Sequence, residues 1–149
     1  MTHCYPGIGG KPIILICVEC LLTKSAWHVP MLLDTGADST CFPGSMAKAF
    51  GHDNAHPQVE VLKDEVWGVG GSSDVYVHSL RIGLIHPSKS SRQKTVLAWQ
   101  SGLDKVHFIE KMDCPHGLIG MDIIRQWKEV SFQPCHQAGS PGVLIRITL

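Results

Sequence analysis

The chain has 149 residues, 44% of them hydrophobic, and its 13 Lys and Arg balance its 13 Asp and Glu. That length suits one domain able to bury about 70% of its unfolded surface. The zero formal charge removes any basic field that would draw the chain to nucleic acid or to a membrane of anionic lipid.

The first apolar run, Pro12 to Val18, stops at Glu19 and is too short to cross a bilayer. It also lacks the basic flank and small-residue cleavage site of a signal peptide, so the expectation is a soluble intracellular chain or a piece cut from a longer precursor. In chain order, apolar or alternating runs predict strands at Pro12 to Leu22, His28 to Leu33, Gln58 to Val66 and Val75 to Ile85. Further strands are predicted at Lys94 to Trp99, Val106 to Ile109, Glu129 to Phe132 and Val143 to Leu149. Thr23-Lys24-Ser25, Gly68 to Asp74, Pro87 to Arg92 and Gln133 to Gly142 read as the turns between them. Two short helices fit, at Ser45 to Phe50 and at Met121 to Trp127, where Ile123, Ile124 and Trp127 have helical spacing. With no repeat and no linker, residues 1–149 read as one all-β unit.

Six cysteines in a chain of this size do not make a disulfide framework. Cys17-Val-Glu-Cys20 has C-x-x-C spacing, but on a strand those positions face opposite ways, so a zinc half-site or redox turn is disfavoured. Buried free thiols are the simpler reading. His52, His56, Cys114 and His116 form no four-ligand pattern, and no metal or cofactor is expected.

Three motifs remain. In Met31-Leu32-Leu33-Asp34-Thr35-Gly36-Ala37-Asp38, a carboxylate ends an apolar strand, a costly place unless it is hydrogen-bonded, shares a proton or does chemistry. Val66-Trp67-Gly68-Val69-Gly70-Gly71 lies between two strand-like runs and suits a hairpin tip tolerant of positive φ. It is not a phosphate loop, because no Gly-Lys-Ser/Thr follows. Leu118-Ile119-Gly120-Met121-Asp122 places an apolar strand end directly before the second helix.

In this order the three motifs resemble the retroviral aspartic proteases, or retropepsins, over most of the chain from Pro12 to Leu149. The glycine hairpin and Gly-Met-Asp-Ile-Ile-Arg-Gln-Trp are most similar to endogenous, betaretroviral and alpharetroviral members. The resemblance implies a retropepsin-like closed β-barrel, half of an acid protease, with one short C-terminal helix, working as a symmetric homodimer. It implies that Asp34, Thr35 and Gly36 form the catalytic triplet and that Ala37 and Asp38 bind substrate backbone. It further implies a flap over about residues 64–76, with Trp67, Gly68, Val69 and Gly70 over the substrate, and side-chain pockets lined by Leu32, His116 and Leu118. Three features depart from the family pattern. Met121 stands where many members carry an arginine that pairs with the aspartate matching Asp38, Trp67 is bulky, and Ser72 to Gly117 is longer than in compact members.

Carboxylate-driven peptide hydrolysis needs two carboxylates facing one water and sharing one proton. The chain holds one Asp-Thr-Gly, so the second carboxylate must come from a second copy, with the active site on a twofold axis. The apolar tail, residues 143–149, would be an aggregation-prone edge if bare, and pairing with the partner's termini would cover it. The resemblance implies a peptide or polyprotein substrate and a protease released inside the cell or virion. The alternatives are a retropepsin-fold scaffold without catalysis and a nucleotide-binding module of the actin-like kinase type. The latter needs two large α/β domains that this chain cannot supply.

Overall fold

The computed structural model describes residues 1–50, 53–66, 71–137 and 139–149. Its strands are β1 (Thr2–Pro6), β2 (Ile13–Cys20), β3 (Ser25–Leu33), β4 (Cys41–Pro43), β5 (Glu60–Val66) and β6 (Ser72–Ile85). They continue with β7 (Leu97–Gln100), β8 (Asp104–Ile109), β9 (Gly117–Ile119), β10 (Glu129–Gln137) and β11 (Ser140–Thr148). Two one-turn helices, α1 (Met46–Ala49) and α2 (Met121–Ile124), sit after β4 and β9. None of these helices is long and apolar enough to cross a membrane.

A closed barrel forms the body. Around it run β2, β3, β9, β4, β8 and β6, and β6 returns to pair with β2. Closure rests on the length of β6, whose residues 75–80 pair with β8 while residues 80–84 pair with β2. A strand that serves two neighbours along its length bends the sheet round on itself and removes its open edges. The filling is apolar: Ile16, Val18, Met31, Leu80, Ile82, Leu84 and Ile119 are almost wholly buried. At one end Phe42, Phe50 and Phe108 pack with ring centroids 5.2 to 5.9 Å apart, and Phe50 follows α1, which explains why so short a helix persists.

Most expected strands are present within a few residues, and the helices at Ser45 and Met121 shrink to single turns. Cys17 and Cys20 both lie on β2, and both are buried. The termini differ more. The tail was expected as an edge needing a partner chain, but β11 is the central strand of a three-stranded sheet, with β1 on one side and β10 on the other. Thr2 to Pro6 pairs with Thr148 to Leu144, and inward-facing His3 and Tyr5 alternate with exposed neighbours.

The segment Gln133 to Gly142, expected as a loop, is mostly strand. Gln133 to Gln137 extends β10 and Ser140 begins β11. Its prolines fit because Pro134 is on an edge strand, while Pro141 lies beyond the end of β1, which pairs only as far as Leu144. In both places one side of the strand needs no N–H. Ile145 and Ile147 point into the same core as Ile14 and Trp127, so the terminal sheet is fastened to the barrel.

Candidate active site

The Asp34 loop begins where β3 runs parallel to β9, with Leu33 beside Ile119. The backbone N–H of Leu33 donates to the Pro12 carbonyl at 2.9 Å, and that of Asp34 to the Ile119 carbonyl at 3.0 Å. The chain then turns sharply, as Ala37 N–H donates back to the Asp34 carbonyl at 3.2 Å. The half-buried Asp34 carboxylate accepts the Gly36 N–H at 2.9 Å through Oδ1. A Cβ at Gly36 would lie 3.2 Å from that oxygen, so glycine lets the amide approach closely.

The outgoing half of the loop is docked on α2. Met121 N–H donates to the Ala37 carbonyl at 2.8 Å, and Asp122 N–H to the Asp38 carbonyl at 3.1 Å. The contact is close enough that a Cβ on Gly120 would fall 2.5 Å from the Ser39 carbonyl carbon and 2.9 Å from the Ala37 oxygen. Fully buried Thr40 completes it. Its N–H reaches both Asp122 carboxylate oxygens at 2.9 Å, its hydroxyl donates to Oδ1 at 2.7 Å, and the same hydroxyl accepts Gly120 N–H at 3.0 Å. Asp122 also accepts its own helix's Ile123 N–H at 2.9 Å, a favourable site for an anion at the start of a turn.

Beside the loop opens a cleft of about 480 Å³. Asp34, Gly36, Ala37, Asp38 and Ser39 form one side. Cys41, Leu62, Val75, Ile109 and Leu118 form an apolar wall, with Glu65 and His107 contributing polar groups. The Cys41 thiol is 4.0 Å from the Met112 sulfur. Burial, reinforced by the negative charges of Asp122 and Asp34 and by Cys114, pushes it up to about 12. Such a thiol stays protonated and acts as a small apolar lining group, not a nucleophile. Among the described residues no three His, Cys, Asp or Glu side chains gather as metal ligands would.

The aspartate thus sits on the turn that leaves β3 beside its parallel neighbour β9, braced by the helix that follows β9. A retropepsin-like aspartic protease from Rickettsia conorii superposes with a TM-score of 0.51 at 14% identity, covering 99% of this chain and 92% of that one. The fold is retropepsin-like. The EIAV protease in complex with the inhibitor HBY-793 also aligns, with a TM-score of 0.46 at 15% identity, over 80% of this chain and 89% of that one. No protein-family model and no curated protein sequence matches the chain.

Within this retropepsin-like fold the motif residues fall unequally. Asp34, Gly36, Ala37, Asp38 and Leu118 line the cleft. Thr35 is exposed, and its hydroxyl has no hydrogen-bond partner among the described residues. Leu32 is half-buried between Ile13 and Leu118 in the sheet, and it does not join the cleft lining. His116 is half-buried too, turned to the Cys114 sulfur at 3.5 Å and the Gly117 carbonyl at 3.2 Å. Trp67, Gly68, Val69 and Gly70, the expected flap tip, lie outside the described residues, and the strands on either side of them, β5 and β6, pair antiparallel.

The arginine missing at Met121 is not replaced from nearby. Arg125 is exposed, and the Asp38 carboxylate has no ion-pair partner among the described residues. Backbone hydrogen bonds and the Asp122–Thr40 pair hold the loop instead. Thr40 and Cys41 follow the Asp-Thr-Gly turn directly in the chain. The motifs did not disclose Leu62, Glu65, Val75, His107 or Ile109, which strand pairing alone brings to the cleft.

Proposed function

We propose that the chain is an aspartic endopeptidase of retropepsin type, in which two copies bring two Asp34 carboxylates together over one water. The observation that carries this reading is the Asp34 turn itself. Its carboxylate is fixed by the Gly36 amide, its backbone is tied to β9, and it faces a cleft large enough for peptide side chains. Like charges at such short range share one proton. The ionised carboxylate takes a proton from the water, which attacks the scissile carbonyl, and the protonated one donates to the carbonyl oxygen. Collapse of the resulting gem-diol breaks the C–N bond as the leaving nitrogen takes up a proton.

Exposed Thr35 is free to reach across the twofold axis and stiffen the paired turns. The motif resemblance supports a retroviral or endogenous-retroelement polyprotein as substrate, with processing inside the cell or the virion. The test is cleavage of apolar-centred peptides near pH 5, compared with Asp34→Asn, alongside sedimentation across protein concentration. Activity that rises with the dimer fraction and disappears in Asp34→Asn supports the reading. A folded dimer that cuts nothing from pH 4 to 7 removes it.

A second reading has one observation in its favour. The terminal sheet is completed within a single chain, so this protein has less need of a partner to cover β11. A monomer that binds peptides without cutting them would use the same cleft as a recognition module.

A further inference from the structure

The flap strand carries a β-bulge beside the cleft. Leu62 pairs with Val75, but the next pair is Glu65 with Ser73, so three steps on β5 match two on β6. In a regular strand positions 62 and 65 would face opposite sides of the sheet. The extra residue puts Glu65 on the side of Leu62 and Val75, and all three line the cleft. The bulge is held in place. Asp64 takes a positive φ of 52°, its N–H donates to Asp74 Oδ1 at 3.3 Å, and Lys63 pairs with Asp74 Oδ2 at 2.6 Å. Lys63 is thus paired with Asp74, and no ion pair joins it to Glu65 among the described residues.

On the opposite wall, Asp38 is fixed through its backbone carbonyl by Asp122 N–H, while its carboxylate has no partner among the described residues. No Lys or Arg lines the cleft among the described residues, and His107 is its one basic lining group. Lys111 approaches the flap base but donates to the Ser72 carbonyl at 3.3 Å. Asp38 and Glu65 are both exposed to solvent, which hydrates their carboxylates. A bound peptide displaces that water, and an unpaired carboxylate then costs binding energy unless the peptide supplies a donor.

We propose that Glu65 and Asp38 make this cleft select peptides that carry a lysine or arginine beside the apolar residues seated against Cys41, Ile109 and Leu118. This rests on the peptide-cleft reading above and names its substrate class. The apolar wall takes the flanking hydrophobic side chain, and the two carboxylates take the cation. Charge, rather than a further pocket, sets the preference.

The test uses one apolar-centred peptide series in which Lys, norleucine or Glu is placed in turn at each position. Cleavage is read on the wild-type protein, and binding by fluorescence anisotropy on Asp34→Asn. At one position Lys is expected to exceed norleucine by roughly tenfold in kcat/KM or in affinity, the scale of one partly desolvated charge pair. Glu65→Gln and Asp38→Asn each shrink that ratio severalfold, and Glu65→Lys shifts the preference toward Glu. Raising the salt concentration also shrinks it. Equal values for Lys and norleucine at every position, or a ratio unmoved in both carboxamide variants, overturn the proposal. Absence of cleavage with the Lys preference intact in binding removes the hydrolase and leaves the selectivity standing. Absence of both cleavage and binding removes both.

Discussion

The Asp122 carboxylate takes both the backbone N–H and the hydroxyl of Thr40, at 2.9 and 2.7 Å, across 82 residues of sequence. One side chain therefore fastens the end of the Asp34 loop to α2. Thr40 is fully buried, so its N–H and hydroxyl depend on that carboxylate for an acceptor. Asp122→Ala is expected to cost about 2–3 kcal/mol, because it leaves buried donors unsatisfied. Asp122→Asn, which keeps one acceptor, should cost about 1 kcal/mol. Urea denaturation measures both. In the hydrolase reading, activity should fall further than the unfolded fraction explains, since the loop carrying Asp34 loosens before the barrel does.

Gly120→Ala should be among the most damaging single-methyl changes in the chain. The new Cβ would meet backbone atoms of Ala37 and Ser39, which cannot move without displacing the Asp34 loop. A loss of about 1–3 kcal/mol or more is expected, from overpacking alone. Gly102→Ala is the control, since nothing lies within 4 Å of its Cβ. Thermal melts of the two variants should separate clearly.

His3 gives the terminal sheet a pH dependence. Its buried ring is held below the ordinary value of 6.5, chiefly by burial and then by positive charge at His86, the amino terminus and Lys89. The rings of His3 and His86 meet edge to face at 4.9 Å. The folded chain thus resists a proton that the unfolded chain accepts. This contribution to stability is full above pH 6.5 and is lost progressively as the pH falls toward the depressed folded value. The protection factors of the β1 amides, taken relative to intrinsic exchange at each pH, should fall between pH 7 and 5, and His3→Phe should flatten that slope. An unchanged slope in His3→Phe would discard the assignment.

Ile147→Ala should destabilise the isolated chain by about 2–5 kcal/mol, the usual cost of emptying a fully buried aliphatic site. The residue lies on the central strand β11 and belongs to the barrel core. For the same reason, cutting the chain after Gly142 is expected to unfold it, not merely to separate two subunits. Circular dichroism of the truncated protein decides this. A native spectrum would mean that the barrel stands without its terminal sheet.

Much of the architecture was legible in the sequence because its signals are local. Alternating runs such as Val75 to Ile85 fix strands through the two-residue period of side-chain direction, and Gly120 before Met121 marks where a strand gives way to a helix. The carboxylate at Asp34 stood out because an ionisable group at the end of an apolar strand needs a reason to be there.

Other features could not be read from neighbours in the chain. The three-residue strand β4 and the pairing of Thr2 to Pro6 with β11 carry too few residues for any period to show. Thr40 meets Asp122, and Cys41 lies beside His107, only because parallel strands bring distant segments together. Glu65 faces the cleft because a bulge reverses the facing that alternation dictates. Local sequence pattern was enough to make the chain all-β and to single out one candidate catalytic aspartate. Closure into a barrel waited on β6 pairing with both β8 and β2. Tertiary structure alone decided which side chains surround that aspartate, because strand register is settled by pairing across the whole sheet.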